Sequence, residues 1–284
     1  MKIEDASRML ISSLTALYDE REAASISSLV MEKLTGMPKN LRIIHKKDLM
    51  AAPQEELFQF YLAELVNHRP VQYVLGEAWF GTMPFYVDEA VLIPRPETEE
   101  LTDWLLKDIS VFESGPTVID IGTGSGCIAV YLKKKRKDLK IRALDVSEAA
   151  LLIAKKNSEL LDADLEFILC DILDQSQWTK IDAADVIISN PPYIPENQKL
   201  LLEKHVKDFE PELALFVPDA DPIIFYKTIG FFAKQKLKPG GMVFLEIHHD
   251  YARDIVTWFR NKGFTLELRK DFSGNNRMIK AQRI

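Results

Sequence analysis

The sequence has few of the features that mark secreted, membrane-spanning or nucleic-acid-coating proteins. Only two cysteines, Cys127 and Cys170, occur in 284 residues, and each lies in an apolar segment, which excludes a disulfide framework and indicates two small core residues. No apolar run approaches the length of a membrane span, and the N-terminus is too acidic for a signal peptide. The formal net charge of −7 disfavours a broad electrostatic footprint on nucleic acid. We therefore expect a cytoplasmic protein that needs no membrane and does not bind nucleic acid directly.

The amino-acid composition indicates a folded chain, because 47% of the residues are hydrophobic and 28% are charged. The length allows one large domain or two ordinary ones. In the first 70 or so residues apolar side chains recur at helical spacing, and Pro38 and Pro53 divide the region into about four short helices. This pattern predicts a small helical domain over residues 1–75.

The character of the sequence changes after that domain. Between residues 76 and 93, β-branched and aromatic residues surround glycines, which predicts a β-hairpin connector. Pro94 and Pro96 end this region, and Glu97 or Thr98 is then expected to begin a helix.

From Thr117 onward, strand and helix patterns alternate, which predicts an α/β domain over residues 94–284 with a parallel sheet covered on both faces. The strand candidates are Val118–Ile121, Lys140–Leu144, Leu165–Leu169, Asp185–Ser189, Met242–Ile247, Thr265–Leu268 and Met278–Gln282. A turn-forming stretch at residues 271–276 joins the last two into a hairpin. Such a final hairpin is more typical of a methyltransferase sheet than of a dinucleotide dehydrogenase.

A glycine-rich loop follows the first of these strands, with the sequence Asp120-Ile121-Gly122-Thr123-Gly124-Ser125-Gly126. Its glycines let the backbone turn tightly and approach a ligand, and Asp145 closes the next strand 19 residues past Gly126, where it can accept from both ribose hydroxyls of an adenosine. The loop alone fits a nicotinamide cofactor almost as well as S-adenosylmethionine. Asp120 favours the latter, because its charge would repel a pyrophosphate but could accept from an ammonium group.

Asp171 and Ile172 follow the third strand candidate and complete the predicted cofactor site. The Asp171 carboxylate could accept from the amino group of adenine. It could equally be the N-cap of a helix, and the sequence does not separate the two interpretations.

The tetrapeptide Asn190-Pro191-Pro192-Tyr193 follows the apolar run Val186–Ser189, so it lies at the carboxyl edge of the sheet, where open α/β sheets bind ligands. Both prolines fix φ and lack an N–H group, which gives a stiff turn rich in acceptors. An amide oxygen, a proline carbonyl and an aromatic ring suit a site that holds a planar nitrogen by its hydrogens. We therefore predict that Asn190, Pro191 and Tyr193 are catalytic and that all four residues bind the substrate. Asn190 is also predicted to contact the cofactor. The simpler interpretation is an ordinary turn after a strand.

With these residues assembled, the chain resembles the HemK/PrmC family of protein-glutamine methyltransferases, which modify peptide chain release factors. The segments that carry the likeness are Pro70–Tyr73 with Gly76-Glu77, Leu92–Glu99, Asp120–Gly126, Asn190–Tyr193 and Phe209–Pro211 with Ala214-Leu215. The resemblance implies a Rossmann-like class I methyltransferase domain with a seven-stranded sheet, S-adenosylmethionine as methyl donor, and the glutamine of the release factors' Gly-Gly-Gln loop as target. It also implies that the helical N-terminal domain docks that partner.

Two segments depart from the pattern that the resemblance leads us to expect. Residues 217–221 replace a glycine-rich stretch, and His248-His249 follows Glu246-Ile247 where a glycine is expected. The histidines do not suggest a metal site, because adjacent side chains on a strand would point to opposite faces. Arg95 and Glu97 either line the cofactor pocket or form a surface pair.

Three other functions compete with this interpretation. A methyltransferase acting on the exocyclic amine of adenine or another base in DNA or RNA would use the same chemistry, but it usually needs a basic channel or a base-recognition domain. The chain has 36 basic against 43 acidic residues, which favours a protein substrate. The second alternative is a catalytically silent adapter that binds a translation factor. The third is a dehydrogenase.

Overall fold

The computed structural model describes residues 1–111 and 114–283, which form two compact units. The first unit contains Met1–Glu77 together with Glu203–Phe209, and the second contains Ala78–Leu202 and the chain from Glu210 onward. The short segment at residues 203–209 therefore belongs with the N-terminal helices, although it is distant from them in sequence. No pattern in the sequence predicted that association.

The helices of the described residues fall in both units. They are α1 (Ile3–Leu14), α2 (Glu20–Thr35), α3 (Lys39–Ile44), α4 (Ala52–Val66), α5 (Val71–Leu75), α6 (Pro96–Asp108), α7 (Cys127–Lys135), α8 (Glu148–Leu160), α9 (Lys204–Phe209), α10 (Glu212–Leu215), α11 (Ile224–Lys236) and α12 (Ala252–Asn261). None of the helices in the described ranges is both long enough and apolar enough to cross a lipid bilayer.

The strands lie in the second unit. They are β1 (Ala78–Phe80), β2 (Met83–Phe85), β3 (Thr117–Ile121), β4 (Lys140–Asp145), β5 (Glu166–Leu169), β6 (Ala184–Ser189), β7 (Ile194–Pro195), β8 (Phe216–Val217), β9 (Leu237–Glu246), β10 (Phe264–Lys270) and β11 (Asn276–Arg283). All seven strands expected in the large sheet are present, within a few residues of the expected bounds except for β9, which begins earlier.

The N-terminal helices bury one face each in a shared core. Leu10 and Leu14 of α1, Val30 of α2, and Phe58 and Leu65 of α4 are fully buried. The side chain of Asp19 accepts from two backbone N–H groups at the start of α2, and this cap fixes where the helix begins. Each helix is stabilised mainly by the apolar stripe it buries.

Residues 71–75 form α5, within the range predicted to be helical. Two expectations about the residues that follow need correction. The hairpin is confined to β1 and β2, so residues 91–93 are not a strand. Helix α6 begins at Pro96 after Arg95, earlier than expected, because proline suits the first turn of a helix, whose N–H groups have no intrahelical partner.

The main sheet has the strand order β10-β11-β9-β6-β3-β4-β5. Strands β3, β4, β5, β6 and β9 are parallel, and β11 pairs antiparallel with β9 and with β10. The chain builds outward from β3 to β5 and then returns to place β6 on the other side of β3. This reversal creates a crevice at the carboxyl ends of β3 and β6, where Ile121 and Ser189 are paired neighbours.

Both faces of the sheet are covered, as the apolar runs of its strands require. Ile119 and Ile187 pack on one side with Phe232 of α11, while Val118 and Val186 belong to the core on the other side. The buried hydroxyl of Ser189 donates to the carbonyl of Ile121 at 2.7 Å. The end of β6 is thereby fixed to the end of β3.

Candidate active site

A cavity of about 220 Å³ opens at the crevice between β3 and β6. Eight of the residues predicted to bind cofactor or substrate line it: Gly122, Gly124, Asp145, Asp171, Ile172, Asn190, Pro191 and Pro192. Five others lie close by in sequence but are not among the lining residues: Asp120, Thr123, Ser125, Gly126 and Tyr193. The topology therefore brings the glycine loop and the Asn-Pro-Pro turn to one cavity.

The glycine loop forms a cradle whose inner side has room for a ligand. Gly122 and Gly124 have φ values of +71° and +53°, a region that favours glycine, and a Cβ atom at either position would meet nothing within 4 Å. The N–H groups of Gly122 and Thr123 bond to the carbonyl of Leu144, which ties the loop to the end of β4. The loop is thus attached to β4 and has open space beside both glycines.

Gly126 has a different role, because it allows α7 to pack against α8. A Cβ atom there would lie 3.1 Å from the Cβ atom and 3.2 Å from the Cα atom of Ala154, and its φ is +78°. We expect Gly126→Ala to destabilise the protein by about 2 to 4 kcal/mol, from a left-handed residue and overpacking together.

Gly240 provides the matched control for that substitution, with a φ of +75° and nothing within 4 Å of a Cβ atom. Gly240→Ala carries the backbone penalty alone, so we expect a loss of about 1 to 2 kcal/mol. Urea denaturation of both variants measures the difference. Equal losses would show that contact with α8 does not constrain Gly126.

Asp145 stands at the end of β4 with 8% of its surface exposed. One carboxylate oxygen accepts from the N–H of Gly124 at 2.9 Å and the other from the N–H of Ser147 at 2.9 Å. Burial raises the pKa of Asp145, while these backbone hydrogen bonds oppose the rise. Each oxygen keeps a lone pair for a further donor, as a pair of ribose hydroxyls would need.

Asp120 lies beneath the loop and is fully buried. One of its oxygens accepts from the hydroxyl of Thr123 at 2.7 Å, and the other has no hydrogen-bond partner among the described residues. Burial raises the pKa of Asp120 to about 7. An orphaned buried carboxylate oxygen is costly, and a cationic ligand nearby would offset that cost.

The residues present fit S-adenosylmethionine. The glycine cradle is open, Asp145 stands where it can accept from ribose hydroxyls, and the buried Asp120 has an oxygen without a hydrogen-bond partner among the described residues. Asp171 is not a helix N-cap, because the next helical segment is a 3₁₀ helix at Gln175–Lys180 that is capped by Asp174. One oxygen of Asp171 accepts from the N–H of Leu173 at 2.8 Å within a turn, and the residue lines the cavity, which leaves the interpretation as an adenine contact. Ile172 beside it supplies an apolar wall.

Asn190 is held in a definite orientation. Its side-chain nitrogen, Nδ2, donates to the hydroxyl oxygen of Thr98 at 3.1 Å, and no described residue donates to its Oδ1. Thr98 in turn donates to Oε2 of Glu246 at 2.6 Å, and the hydroxyl of Tyr193 donates to Oε1 of Glu246 at 3.2 Å. Two of the predicted catalytic residues, Asn190 and Tyr193, are thus linked through a buried carboxylate.

The electrostatics of this network are set by burial. Burial raises the pKa of Glu246 to about 7, although the hydrogen bonds from Thr98 and Tyr193 and the charge of Arg277 lower it. Burial, reinforced by Glu246, also raises the pKa of Tyr193, so its hydroxyl remains a donor. The ring of Tyr193 packs edge-on against His248, with centroids 5.8 Å apart.

Neither interpretation proposed for Arg95 and Glu97 holds, because neither residue lines the cavity and Arg95 pairs with Glu210 instead. The side chain of Glu210 has no exposed surface, and its Oε2 accepts from the N–H of Ile93 at 3.2 Å. Leu92 precedes Ile93 and Pro211 follows Glu210, and both line the cavity. Glu210 therefore anchors two of the walls of the site.

His248 and His249 lie past the end of β9 at Glu246, so the prediction that their side chains point to opposite faces of a strand is wrong. Residues 249–251 form a 3₁₀ turn, so the two imidazole rings stack at 4.8 Å with 13° between their planes. Together with Asp250 they place three potential ligand atoms within 4.8 Å of one another. Nδ1 of His248 already accepts from the N–H of Asp250 at 3.3 Å, which commits one of these atoms to the turn.

Sequence reasoning missed several residues of the site. Thr98 and Glu246 were noticed only as parts of family-like segments, and Phe225 of α11 and Leu213 of α10 line the cavity without any preceding signal. Thr98 lies in Leu92–Glu99, one of the segments that resemble the HemK/PrmC family, and that likeness could have indicated it. Nothing in the sequence pairs it with a residue 148 positions away.

The crevice, the glycine cradle, Asp145 and a parallel sheet that ends in an antiparallel hairpin define a class I methyltransferase that uses S-adenosylmethionine. A family model described as "Methyltransferase small domain" matches residues 97–208, and one described as "PrmC N-terminal domain" matches residues 5–76. The chain belongs to the release factor glutamine methyltransferase family. A relative of that name from Flavobacterium psychrophilum is 37% identical over 99% of both chains, and one from Bacteroides thetaiotaomicron is 40% identical over 95% of this chain and 96% of its own.

Solved structures agree with this fold. A methyltransferase from Pyrococcus furiosus matches with a TM-score of 0.51 and 17% identity, covering 82% of this chain and 99% of that one. A 16S rRNA methyltransferase from T. thermophilus, solved with AdoMet and guanosine, matches with a TM-score of 0.51 and 15% identity over 73% of this chain and 50% of that one. At these identities the likeness concerns the fold alone.

Proposed function

We propose that this chain transfers a methyl group from S-adenosylmethionine to the side-chain amide nitrogen of the glutamine in the Gly-Gly-Gln loop of peptide chain release factors. The observation that carries the proposal is the orientation of Asn190 at the cavity. The side-chain nitrogen of Asn190 donates to the hydroxyl oxygen of Thr98, and its side-chain oxygen accepts from no described residue. The relatives that match over nearly their full length, which are named for release factor glutamine methylation, support the choice of substrate.

The donor is assigned to the cavity between the glycine loop and Asp171. Gly122 and Gly124 would approach it with their backbone, Asp145 would accept from its ribose hydroxyls, and Asp171 and Ile172 would contact its adenine. When bound, S-adenosylmethionine supplies an electrophilic methyl group on a sulfonium that departs as a neutral thioether. Asp120 adds negative charge beneath the loop, which favours a cation there.

The chain's own contribution is alignment more than base catalysis. A glutamine amide nitrogen is a poor nucleophile, because its lone pair is delocalised into the carbonyl group. The side-chain oxygen of Asn190 and the main-chain oxygen of Pro191 would each accept one amide hydrogen, which orients the nitrogen in line. Both oxygens also stabilise the positive charge that develops on nitrogen, in the manner of an oxyanion hole with reversed sign.

The remaining residues of the turn keep these acceptors in place. Pro192 has no N–H group to compete with the substrate, and it lines the cavity beside Pro191. Tyr193 is bonded to Glu246, so we assign it to the supporting wall of the site. The methylated nitrogen is cationic and strongly acidic, so its proton leaves to water without a dedicated base.

The helical unit formed by residues 1–77 with 203–209 is proposed to dock the release factor. The cytoplasm is the compartment where such a substrate would be met. Direct binding to nucleic acid is not part of the proposal, because the net charge of −7 opposes it.

Methyl transfer to three acceptors tests the substrate. Intact release factor, a short Gly-Gly-Gln peptide and an adenine-containing oligonucleotide are each incubated with enzyme and labelled donor, and the products are analysed by mass spectrometry. We expect one methyl group on the glutamine of the intact factor, much less on the peptide because it lacks the docking surface, and none on the oligonucleotide. Labelling of the oligonucleotide alone would overturn the proposed function in favour of a base methyltransferase.

A further inference from the structure

We propose that Thr98 and Glu246 are positioning residues that fix which end of the Asn190 side-chain amide faces the substrate. The inference rests on the proposed function and adds two residues to it. Thr98 lies on α6, Glu246 ends β9, and Asn190 follows β6, so only the folded chain brings them together. Thr98 is 3% exposed and Glu246 is 1% exposed, which shields their hydrogen bonds from water.

The direction of each hydrogen bond follows from the number of protons available. When Glu246 is ionised, both of its oxygens are acceptors, Oε2 from Thr98 at 2.6 Å and Oε1 from Tyr193 at 3.2 Å. The single hydroxyl proton of Thr98 is therefore given to Glu246. Thr98 has only a lone pair left for Asn190.

A lone pair at Thr98 accepts only the nitrogen end of the Asn190 amide, as the 3.1 Å contact from Nδ2 shows. Rotation of the amide by 180° would set Oδ1 against the Thr98 oxygen, acceptor against acceptor. It would also turn an NH₂ group toward a substrate that itself presents an NH₂ group. Glu246 thus determines, through Thr98, that Asn190 offers an oxygen.

The competing explanation is that Thr98 merely satisfies a buried carboxylate and has no effect on the reaction. Thr102 is the control for that explanation. It lies on the same helix, is fully buried, and its hydroxyl donates to the carbonyl of Thr98 at 2.7 Å, outside the network of Asn190. Thr98→Val and Thr102→Val both remove a buried threonine hydroxyl with little change in shape.

Steady-state kinetics with release factor as substrate distinguish the two explanations. We expect Thr98→Val to lower kcat by about 10- to 100-fold, by analogy with the loss of an outer partner that orients a metal ligand. The KM for the donor should stay within a few fold. Thr98→Ser retains the hydroxyl and is expected to restore kcat to within a few fold of wild type, and Thr102→Val is expected to leave kcat unchanged.

A second measurement needs no catalysis. In ¹⁵N-labelled protein without donor, the Asn190 side-chain NH₂ signals are identified by their loss in Asn190→Ala. We expect slow hydrogen exchange of these signals in wild type and Thr98→Ser, and exchange at least 10-fold faster in Thr98→Val.

The outcomes separate failure of the inference from failure of the proposed function. If wild type methylates release factor but Thr98→Val keeps its kcat and its protected NH₂ signals, the positioning role is wrong and the function stands. A loss of kcat that is equal in Thr98→Val and Thr102→Val also contradicts the role, because it assigns the effect to general stability. If wild type does not methylate release factor, the proposed function fails, while the exchange measurement still tests the orientation of Asn190.

Discussion

The Asn190→Ala enzyme is expected to lose about 100-fold or more in kcat while its affinity for S-adenosylmethionine changes by only a few fold. Removal of one oriented group that stabilises developing charge typically costs this much. Alanine cannot accept the amide hydrogen, so the nitrogen is no longer aligned and its developing charge loses one of two partners. The main-chain oxygen of Pro191 remains, which explains why we expect residual activity.

Isothermal titration with the donor and single-turnover kinetics with intact release factor measure the two quantities separately. The two quantities are separable because Asn190, which follows β6, is bonded to Thr98, whereas the glycine loop and Asp145 follow β3 and end β4. If titration showed donor binding abolished while the rate at saturating donor stayed normal, Asn190 would be a donor-binding residue only. The alignment mechanism would then be wrong.

The parallel sheet was predictable because its strands are buried on both faces and so read as continuous apolar runs. Ile187 and Ile188 are both fully buried although they face opposite sides of the sheet. The meeting of the glycine loop with Asn190 was also predictable in outline, since both follow strands of one parallel sheet and such strands end at one edge. Identifying β3 and β6 as neighbours required the structure, because two further strands and their helices separate them in sequence.

What the sequence could not predict depends on contacts between distant positions. Asp120 was expected to reach the donor directly, whereas it is fully buried beneath the loop and does not line the cavity. Whether a carboxylate before a glycine loop points into a cavity or under it depends on how the loop packs. Arg95 likewise forms an ion pair with Glu210, which is 115 positions away in sequence.

Local propensity was also overruled in two places. Residues 71–75 contain two valines and a tyrosine, which favour strands, yet they form α5 because Val71 and Val74 pack in the core of the helical unit. His248 and His249 follow a strand but do not continue it. The 3₁₀ turn that follows stacks their rings instead of separating them.

The acidic groups around the site form a pattern that no single motif reveals. Asp120, Asp145 and Glu246 are all buried, and burial raises the pKa of each. Proximity of Asp145 further raises the pKa of Asp120, because a second negative charge disfavours the ionised form in the absence of a nearby cation. A site of this kind is suited to a cationic ligand, and it makes the binding of a pyrophosphate unfavourable.

Asp145→Ala is expected to weaken donor binding by about 100-fold, while kcat at saturating donor falls only a few fold. Two hydrogen bonds donated by the ribose hydroxyls to the charged carboxylate would be lost, at about 1.5 kcal/mol each, and 1.4 kcal/mol corresponds to a factor of ten. The variant also removes the acceptor of the Gly124 N–H group, so the cradle loses part of its support. Isothermal titration with S-adenosylmethionine or with the product S-adenosylhomocysteine measures the effect.

Asp174 offers a control, because its Oδ1 accepts from the N–H of Ser176 at 3.0 Å in a turn that does not line the cavity. Asp174→Ala should bind the donor as wild type does. Asp145→Asn keeps the shape of the side chain and one acceptor, so we expect an intermediate loss of about 10-fold. Urea denaturation of each variant establishes that the protein tested is folded. Unchanged affinity in a folded Asp145→Ala protein would place the ribose elsewhere, and the donor site would then have to be sought away from the end of β4.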